Sequence, residues 1–206
     1  MSGEAGSLAA LRGRGRELQI CAVRALVALF VLLLAGCAAQ PATVDSDKID
    51  HLLMLVHQRL GYMDDVARNK WNSGAAIEDL PRERAIIESI GKQAAGYGLD
   101  AAVAEDFFRA QIEASKIIQN ARFREWRASG QPKFAKVLDL GKDIRPALDA
   151  LTPAMMSALA AAMPALRTPQ GPALVAARAQ VLVVPPAGVA ARDEAVAPLQ
   201  RISRNR

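Results

Sequence analysis

The 206-residue sequence contains little cysteine, histidine or aromatic residue, and each shortage excludes a class of protein. Cys21 and Cys37 are the only cysteines, so the chain beyond residue 37 cannot form a disulfide. His51 and His57 are the only histidines, which leaves a transition-metal site without its usual ligands. No glycine-rich phosphate loop with the required spacing occurs. The sequence therefore predicts neither a metal site nor a cofactor.

The charge balance is only mildly basic, although the isoelectric point is high. The whole chain carries a net charge of +5. Four arginines and two glutamates lie in the first 36 residues, so 22 basic and 19 acidic residues remain beyond them. A general nucleic-acid surface requires dense basic stripes with interleaved aromatic residues, and aromatics are only 4% of this chain. We therefore predict no nucleic-acid partner.

The first 36 residues have the pattern of an export signal. A basic region precedes an apolar run over residues 25–35, and its arginines are Arg12, Arg14, Arg16 and Arg24. The run is shorter than the roughly 20 residues that span a bilayer, and its length suits a signal peptide. Leu34-Ala35-Gly36-Cys37 resembles the lipobox of bacterial lipoproteins, which implies cleavage before Cys37, acylation of its sulfur and a periplasmic location. A plain signal cleaved near Ala38 or Ala39 is the alternative.

The remainder of the chain reads as one all-α domain with flanking segments. We predict a tether over 37–47, a helical domain over 48–165 and an extension over 166–206 that is helical or partly disordered. Within the domain, apolar periodicity and capping residues predict helices at about 47–71, 79–96, 100–129 and 139–150, with a further helix starting at Thr152-Pro153. Residues 173–184 have both helical and strand-like features.

Two cations point toward the predicted helical core. Arg59 and Lys70 are eleven residues apart, which is three helical turns, and they share a face with inward apolar residues. Buried cations without partners are costly, so carboxylates of the protein or an anionic ligand must neutralise them. Ser115 and Gln119 are four residues apart and also share a helix face.

Three further residues suggest what such a core could hold. Arg82 and Glu83 open the second helix, and Arg145 lies near the start of a later one. Arginine binds carboxylates bidentately and lysine is a compact donor, so the set suits a small ligand with two carboxylates and further oxygen acceptors. Ser115 has no histidine at a suggestive spacing, so an enzyme built on this set would act by positioning and electrostatics.

The run Arg59-x10-Lys70-x8-Asp79-x2-Arg82-Glu83, followed by Ser115-x3-Gln119, resembles the all-helical chorismate mutases over about residues 48–165. The secreted, periplasmic subclass fits best. Its typical stretches are present as Asn69-Lys70-Trp71, Ile77-Glu78-Asp79, Phe107-Phe108-Arg109-Ala110-Gln111-Ile112 and Arg122-Phe123-Arg124-Glu125-Trp126.

The resemblance implies a type II helical bundle with one long central helix and the site inside it. It also implies conversion of chorismate to prephenate without a cofactor, and a homodimer. Arg59 and Arg145 would hold substrate carboxylates, and Ser115 would assist. Lys70 and Gln119 would donate hydrogen bonds to the ether oxygen. The remaining roles fall to Arg82, as positive potential or a carboxylate contact, and to Glu83 with Asp79, as acceptors of the ring hydroxyl.

Other interpretations stay open at this point. An isochorismate–pyruvate lyase shares the helical fold and a similar cationic pocket. A catalytically inactive helical lipoprotein could bind a dicarboxylate or a protein partner, and a structural envelope protein would bind no ligand. Isolated cations on helices are expected to be solvated, and these are Arg68, Arg84, Lys92, Lys116, Arg122, Arg124 and Lys142. Pro146 is expected to keep Arg145 out of the α-region.

Overall fold

The computed structural model describes residues 46–186 and 188–202, and over these residues the fold is entirely helical. The predicted signal peptide, Cys37 and most of the tether lie outside the described residues. The helices are α1 Ser46–Gly61, α2 Met63–Ser73, α3 Leu80–Ala94, α4 Ala101–Ser129, α5 Arg145–Leu166, α6 Gly171–Leu182 and α7 Val189–Arg201. A 3₁₀ turn at Ala95–Tyr97 and a π-helical turn at Leu140–Ile144 complete the order.

The predicted first helix is two helices in the structure, because the chain tightens at Tyr62. The Tyr62 N–H donates to the carbonyl of Arg59, three residues earlier, at 3.3 Å. Gly61 precedes this turn, and glycine is a weak helix former. Val66 N–H then donates to the Tyr62 carbonyl at 3.0 Å and resumes the α-helical pattern. Arg59 therefore belongs to α1, whereas Lys70 belongs to α2.

The predicted start of the second helix is confirmed. Asp79 Oδ1 accepts a hydrogen bond from the Arg82 N–H at 3.3 Å, and Glu83 Oε1 accepts one from the Asp79 N–H at 3.1 Å. This reciprocal pair satisfies two backbone donors that have no partner within the helix. The same bonds hold three of the predicted site residues, Asp79, Arg82 and Glu83, at the start of α3.

The long central helix is also confirmed, with Asp100 as its cap. Asp100 Oδ1 accepts the N–H groups of Ala102 at 2.8 Å and Val103 at 3.3 Å. The 29 residues of α4 span roughly 44 Å at 1.5 Å each. Gly130 ends the helix at a φ of 63°, a left-handed conformation that glycine adopts without strain.

Two expectations about α5 are wrong. The helix runs through Pro153 to Leu166, so no new helix starts at Thr152-Pro153. Buried residues on both sides of Pro153 keep the helix against the core, and they include Leu151 and Met155. Arg145 lies in the α-region at φ −60° and ψ −45°, although Pro146 follows it. Its N–H donates to Leu140, and that helical bond from the π-helical turn holds Arg145 in the conformation that Pro146 disfavours.

The helices surround one main core to which the C-terminal extension contributes. The central helix α4 packs against α2, α3 and α7, while α1 packs against α5 and α6. Val175, Ala191 and Leu199 from the extension are fully buried in the same core. Gln111 on α4 donates a hydrogen bond to the Ala195 carbonyl of α7 at 2.8 Å. Residues 173–182 are thus helical, and the extension completes the bundle.

Aromatic residues fill part of the interior. Phe107 and Phe108 are buried in the main core. Trp71 meets Phe123 edge-on with ring centroids 5.3 Å apart, and Trp126 joins the same small cluster. This cluster fixes α2 on α4 and so places Lys70 opposite the middle of the central helix. Within the described part of the chain, no helix has the length and apolar composition needed to cross a membrane.

Candidate active site

All eight residues predicted for the site line one cavity within a single chain. They come from α1, α2, the start of α3, the middle of α4 and the start of α5. The set is Arg59, Lys70, Asp79, Arg82, Glu83, Ser115, Gln119 and Arg145. Lys116, Asp149 and Thr152 also line the cavity, and sequence reasoning did not include them. The remaining wall is mostly apolar, with Phe108 and Ile112 among its residues.

Arg59 is the most deeply buried cation of the cavity. Its side chain lies among apolar residues, the residue is 7% exposed, and its Nε has no hydrogen-bond partner. Burial lowers the pKa of Arg59 to about 10, an effect that Asp149 opposes and Arg82 reinforces. A guanidinium held in this state is poised to bind an anion, because a ligand carboxylate would supply the missing partner.

Lys70 is the second buried cation, at 9% exposure. Its Nζ donates one hydrogen bond, to the Ile77 carbonyl at 2.6 Å, and an ammonium group has three donors. Burial lowers the pKa of Lys70, with Asp79 and Glu83 opposing the shift and Arg145 adding to it. The contact with Ile77 orients the ammonium group and leaves donors for a ligand in the cavity.

The two outer arginines of the cavity each contact a carboxylate. Arg82 lies 3.3 Å from Asp149, and Arg145 lies 3.5 Å from Asp79. Asp149 could have been found from the sequence, because it is four residues after Arg145 and so shares its helix face. Both ion pairs are partly exposed, so they contribute little to the stability of the fold. Their role is to orient the two arginines.

Ser115 and Gln119 form the polar part of the α4 wall. Ser115 Oγ donates to the Gln111 carbonyl at 2.7 Å, and Gln119 Nε2 donates to the Ser115 carbonyl at 3.1 Å. Both residues are buried, and Gln119 Oε1 has no partner. The amide nitrogen carries two hydrogens, so one remains for a ligand atom.

The expectation that Lys116 is solvated is wrong. Its side chain is 14% exposed, and Nζ lies 2.7 Å from Glu113, 3.3 Å from Glu83 and 4.0 Å from Glu78. Burial acts to lower the pKa of Lys116, but hydrogen bonds with Glu113 and Glu83 outweigh it and raise the pKa. Two of these carboxylates come from outside α4, and helix periodicity alone could not reveal them.

Arg122 is also less solvated than expected. It binds Asp64 at 2.8 Å through Nε and donates to the carbonyl of Pro186 at 3.1 Å. The other cations assigned to solvent are exposed as predicted, namely Arg68, Arg84, Lys92, Arg124 and Lys142. Arg122 is outside the cavity wall, so this correction concerns the fold and leaves the site unchanged.

The charges that line the cavity do not balance. Five cations face three carboxylates, the latter being Asp79, Glu83 and Asp149. Lys116 is paired with Glu113, which lies outside the wall, so the imbalance rests on Arg59 and Lys70, for which the described residues provide no ion pair. Two buried cations of this kind match a ligand with two carboxylates, and the apolar wall matches a compact carbon skeleton. Fold and site together define a helical bundle whose interior cavity has the preorganised donors that a small dicarboxylate requires.

Comparison with known proteins identifies the family. The family model described as chorismate mutase type II matches residues 44–120. A secreted chorismate mutase of Mycolicibacterium smegmatis is 30% identical over 145 residues, which are 70% of this chain and 80% of that protein. A secreted chorismate mutase of Yersinia pestis is 29% identical over 130 residues, covering 63% of this chain and 68% of that protein.

A solved structure agrees with these sequence relatives. The crystal structure of a chorismate mutase from Burkholderia phymatum superposes with a TM-score of 0.70 at 32% identity, covering 75% of this chain and 96% of that one. The chain belongs to the chorismate mutase family and is an isomerase of the all-helical type. The names of the two sequence relatives also support the predicted export.

Proposed function

We propose that the cavity converts chorismate to prephenate by a 3,3 Claisen rearrangement, with the eight predicted residues as its binding and catalytic groups. The observation that carries this assignment is the convergence of those residues on one internal cavity, where Arg59 and Lys70 are buried without an ion pair from the described residues. In the reaction the ether C–O bond of the substrate breaks while a new C–C bond forms. No atom is transferred to or from the protein, so positioning and electrostatics are sufficient.

Two arginines hold the substrate carboxylates in this mechanism. Arg59 offers an unpaired Nε from the end of α1, and Arg145 lines the cavity from the start of α5. Ser115 would assist a carboxylate by turning its one hydroxyl hydrogen from the Gln111 carbonyl toward the ligand, and Arg82 adds positive potential from α3. Fixing both carboxylates selects the compact, chair-like conformer in which the reacting carbons approach each other, and that selection removes much of the entropic barrier.

Lys70 and Gln119 lower the barrier itself. Negative charge grows on the ether oxygen as its bond to carbon breaks. The Lys70 ammonium and the Gln119 amide keep spare hydrogens beyond their backbone hydrogen bonds, and bonds from these hydrogens to the ether oxygen would strengthen toward the transition state. Glu83, with Asp79 beside it, accepts the ring hydroxyl at the start of α3. Loss of one donor to the oxygen is expected to reduce kcat by roughly 10²–10³.

The assay follows chorismate loss by ultraviolet absorbance and prephenate by its acid-catalysed conversion to phenylpyruvate. The protein starts at Ala38, which removes the signal peptide and Cys37. Lys70→Ala is expected to lose activity, whereas Lys48→Ala, an exposed lysine on α1, serves as the matched control. Turnover of isochorismate to pyruvate and salicylate instead of chorismate turnover would replace this proposal with the lyase.

We also propose that the exported chain is anchored by a lipid on Cys37 and forms a homodimer. The first point rests on the Leu34-Ala35-Gly36-Cys37 sequence, and the second on the resemblance to helical mutases. Mass spectrometry of the membrane fraction should find an acylated amino-terminal Cys37 that is absent after Cys37→Ser. Sedimentation of the protein that starts at Ala38 should give twice the monomer mass.

A further inference from the structure

Lys116 connects three parts of the chain beside the cavity. Its ammonium group lies on α4, between Ser115 and Gln119 in sequence, and reaches Glu83 at the start of α3. It also contacts Glu113 on its own helix and Glu78 in the connection before α3. Lysine side chains are rarely this enclosed in folded proteins. The position of Lys116 at the cavity wall indicates a role in the site.

Glu83 is held from two directions as a result. Its Oε1 accepts the Asp79 N–H at 3.1 Å, and its Oε2 accepts from Lys116 at 3.3 Å. A carboxylate offers about four lone pairs, so two remain for a ligand hydroxyl. The backbone bond alone would leave the second oxygen free to rotate toward solvent, whereas the bond to Lys116 fixes the plane of the carboxylate.

The three glutamates around Lys116 differ in their exposure to solvent, and Glu83 is the least exposed. Glu113 and Glu78 are more exposed, with side chains 54% and 67% accessible, whereas the Glu83 side chain is 19% accessible. Glu113 and Glu78 therefore reach water readily, but Glu83 depends on its protein partners. Lys70, Arg82 and Arg145 also line the cavity, yet none of them forms an ion pair with Glu83 over the described residues.

We propose that Lys116 is a positioning residue that orients the Glu83 carboxylate toward the ring hydroxyl of the substrate and so contributes to selection of a hydroxylated substrate. The inference rests on the proposed function. Lys116 itself acts through Glu83. The hydroxyl does not take part in bond making or breaking, so its hydrogen bond has similar strength in the bound substrate and in the transition state. Loss of such uniform binding raises KM and leaves kcat nearly unchanged.

The test compares Lys116→Met with the unmodified protein on chorismate. A hydrogen bond to a charged group is expected to raise KM about tenfold when lost, with kcat changing by less than about twofold. Lys116→Arg keeps the positive charge, so its KM should be close to that of the unmodified protein. Lys92→Met is the matched control, because Lys92 is an exposed lysine with one ion pair, to Glu88 on α3. Lys116→Gln replaces Lys116→Met should the latter prove insoluble.

A double variant separates positioning from general stability. In a Glu83→Gln background, Lys116→Met should raise KM by less than about twofold, because the two residues act as one unit. A full effect of Lys116→Met in that background, an unchanged KM in the single variant, or a fall confined to kcat would each overturn the inference. Absence of chorismate turnover in the unmodified protein would instead reject the proposed function on which it rests.

Discussion

Arg59→Met should make the protein more stable while it removes most of the activity. The change deletes a cation that is 7% exposed and has an unpaired Nε, and it leaves an unbranched side chain that can fill part of the same space. Stability and function are therefore expected to move in opposite directions, as occurs where a binding site keeps a destabilising charge for its ligand.

The size of the expected gain in stability follows from the lowered pKa of Arg59. Burial lowers the pKa of Arg59 to about 10, more than two below that of a free arginine. That difference corresponds to about 3 kcal/mol against the charged form in the folded protein. The shorter methionine packs less completely, so we expect a net gain of about 1–3 kcal/mol. At about 2–4 °C per kcal/mol, the midpoint of thermal unfolding should rise by about 2–12 °C.

The pH dependence has a defined sign. Above pH 10 the folded protein begins to release the Arg59 proton, while the unfolded chain still binds it. Stability rises with pH wherever the unfolded state binds more protons. Above pH 10 the free energy of unfolding of the unmodified protein should therefore approach that of Arg59→Met. Below this pH the full difference between the two proteins should be present.

Thermal unfolding followed by circular dichroism measures the stability of Arg59→Met, and the chorismate assay measures its activity. We expect kcat/KM to fall by at least 10²-fold, on the order of a lost transition-state donor. Arg84→Met, the same substitution at an exposed position of α3, should change stability by less than about 0.5 kcal/mol and keep activity. A destabilised Arg59→Met beside a neutral Arg84→Met, or a stabilised variant with full activity, would refute the reasoning.

Three further changes test other parts of the site. Gln119→Glu should become most active at acidic pH, because a carboxyl donates a hydrogen bond only when protonated, while the unmodified protein keeps a broad profile near neutrality; equal profiles would contradict the placement of Gln119. Burial lowers the pKa of Lys70, so kcat/KM should fall at a lower alkaline pH than it would with an exposed lysine in this role. Lys70→Arg should move this fall in kcat/KM to higher pH. Gln111→Leu leaves the Ala195 carbonyl without its partner and should destabilise the protein by about 1–2 kcal/mol in urea unfolding, whereas a neutral result would mean that α7 docks without this bond.

The sequence could predict that the site residues lie together, because the spacing of residues along a helix determines which face they share. Arg59 and Lys70 remain on the cavity side although the chain breaks at Tyr62, since the tight turn there keeps nearly the same rotation along the chain. Ser115 and Gln119 share a face of an unbroken helix, so their four-residue spacing was sufficient. Resemblance to a family added the roles that spacing cannot supply.

The errors arose where an interaction between distant segments decided the outcome. Lys116 looked like an ordinary surface lysine until α3 brought Glu83 across to it. Pro153 suggested a helix start, but the buried residues around it hold α5 together. In each case contacts between distant segments outweighed a local preference, which for a proline inside a helix is about 3 kcal/mol.

The amino-acid sequence by itself determined most of the helices, their caps at Asp79 and Asp100, and the inward orientation of Arg59 and Lys70, because these features depend on contacts within a few residues. Only the tertiary structure decided which charges remain unpaired. The orphaned Nε of Arg59, the pairing of Arg82 with Asp149 and the enclosure of Lys116 depend on helices far apart in sequence. Whether a buried charge is neutralised by the protein or left for a ligand is settled by those distances, which no local pattern encodes.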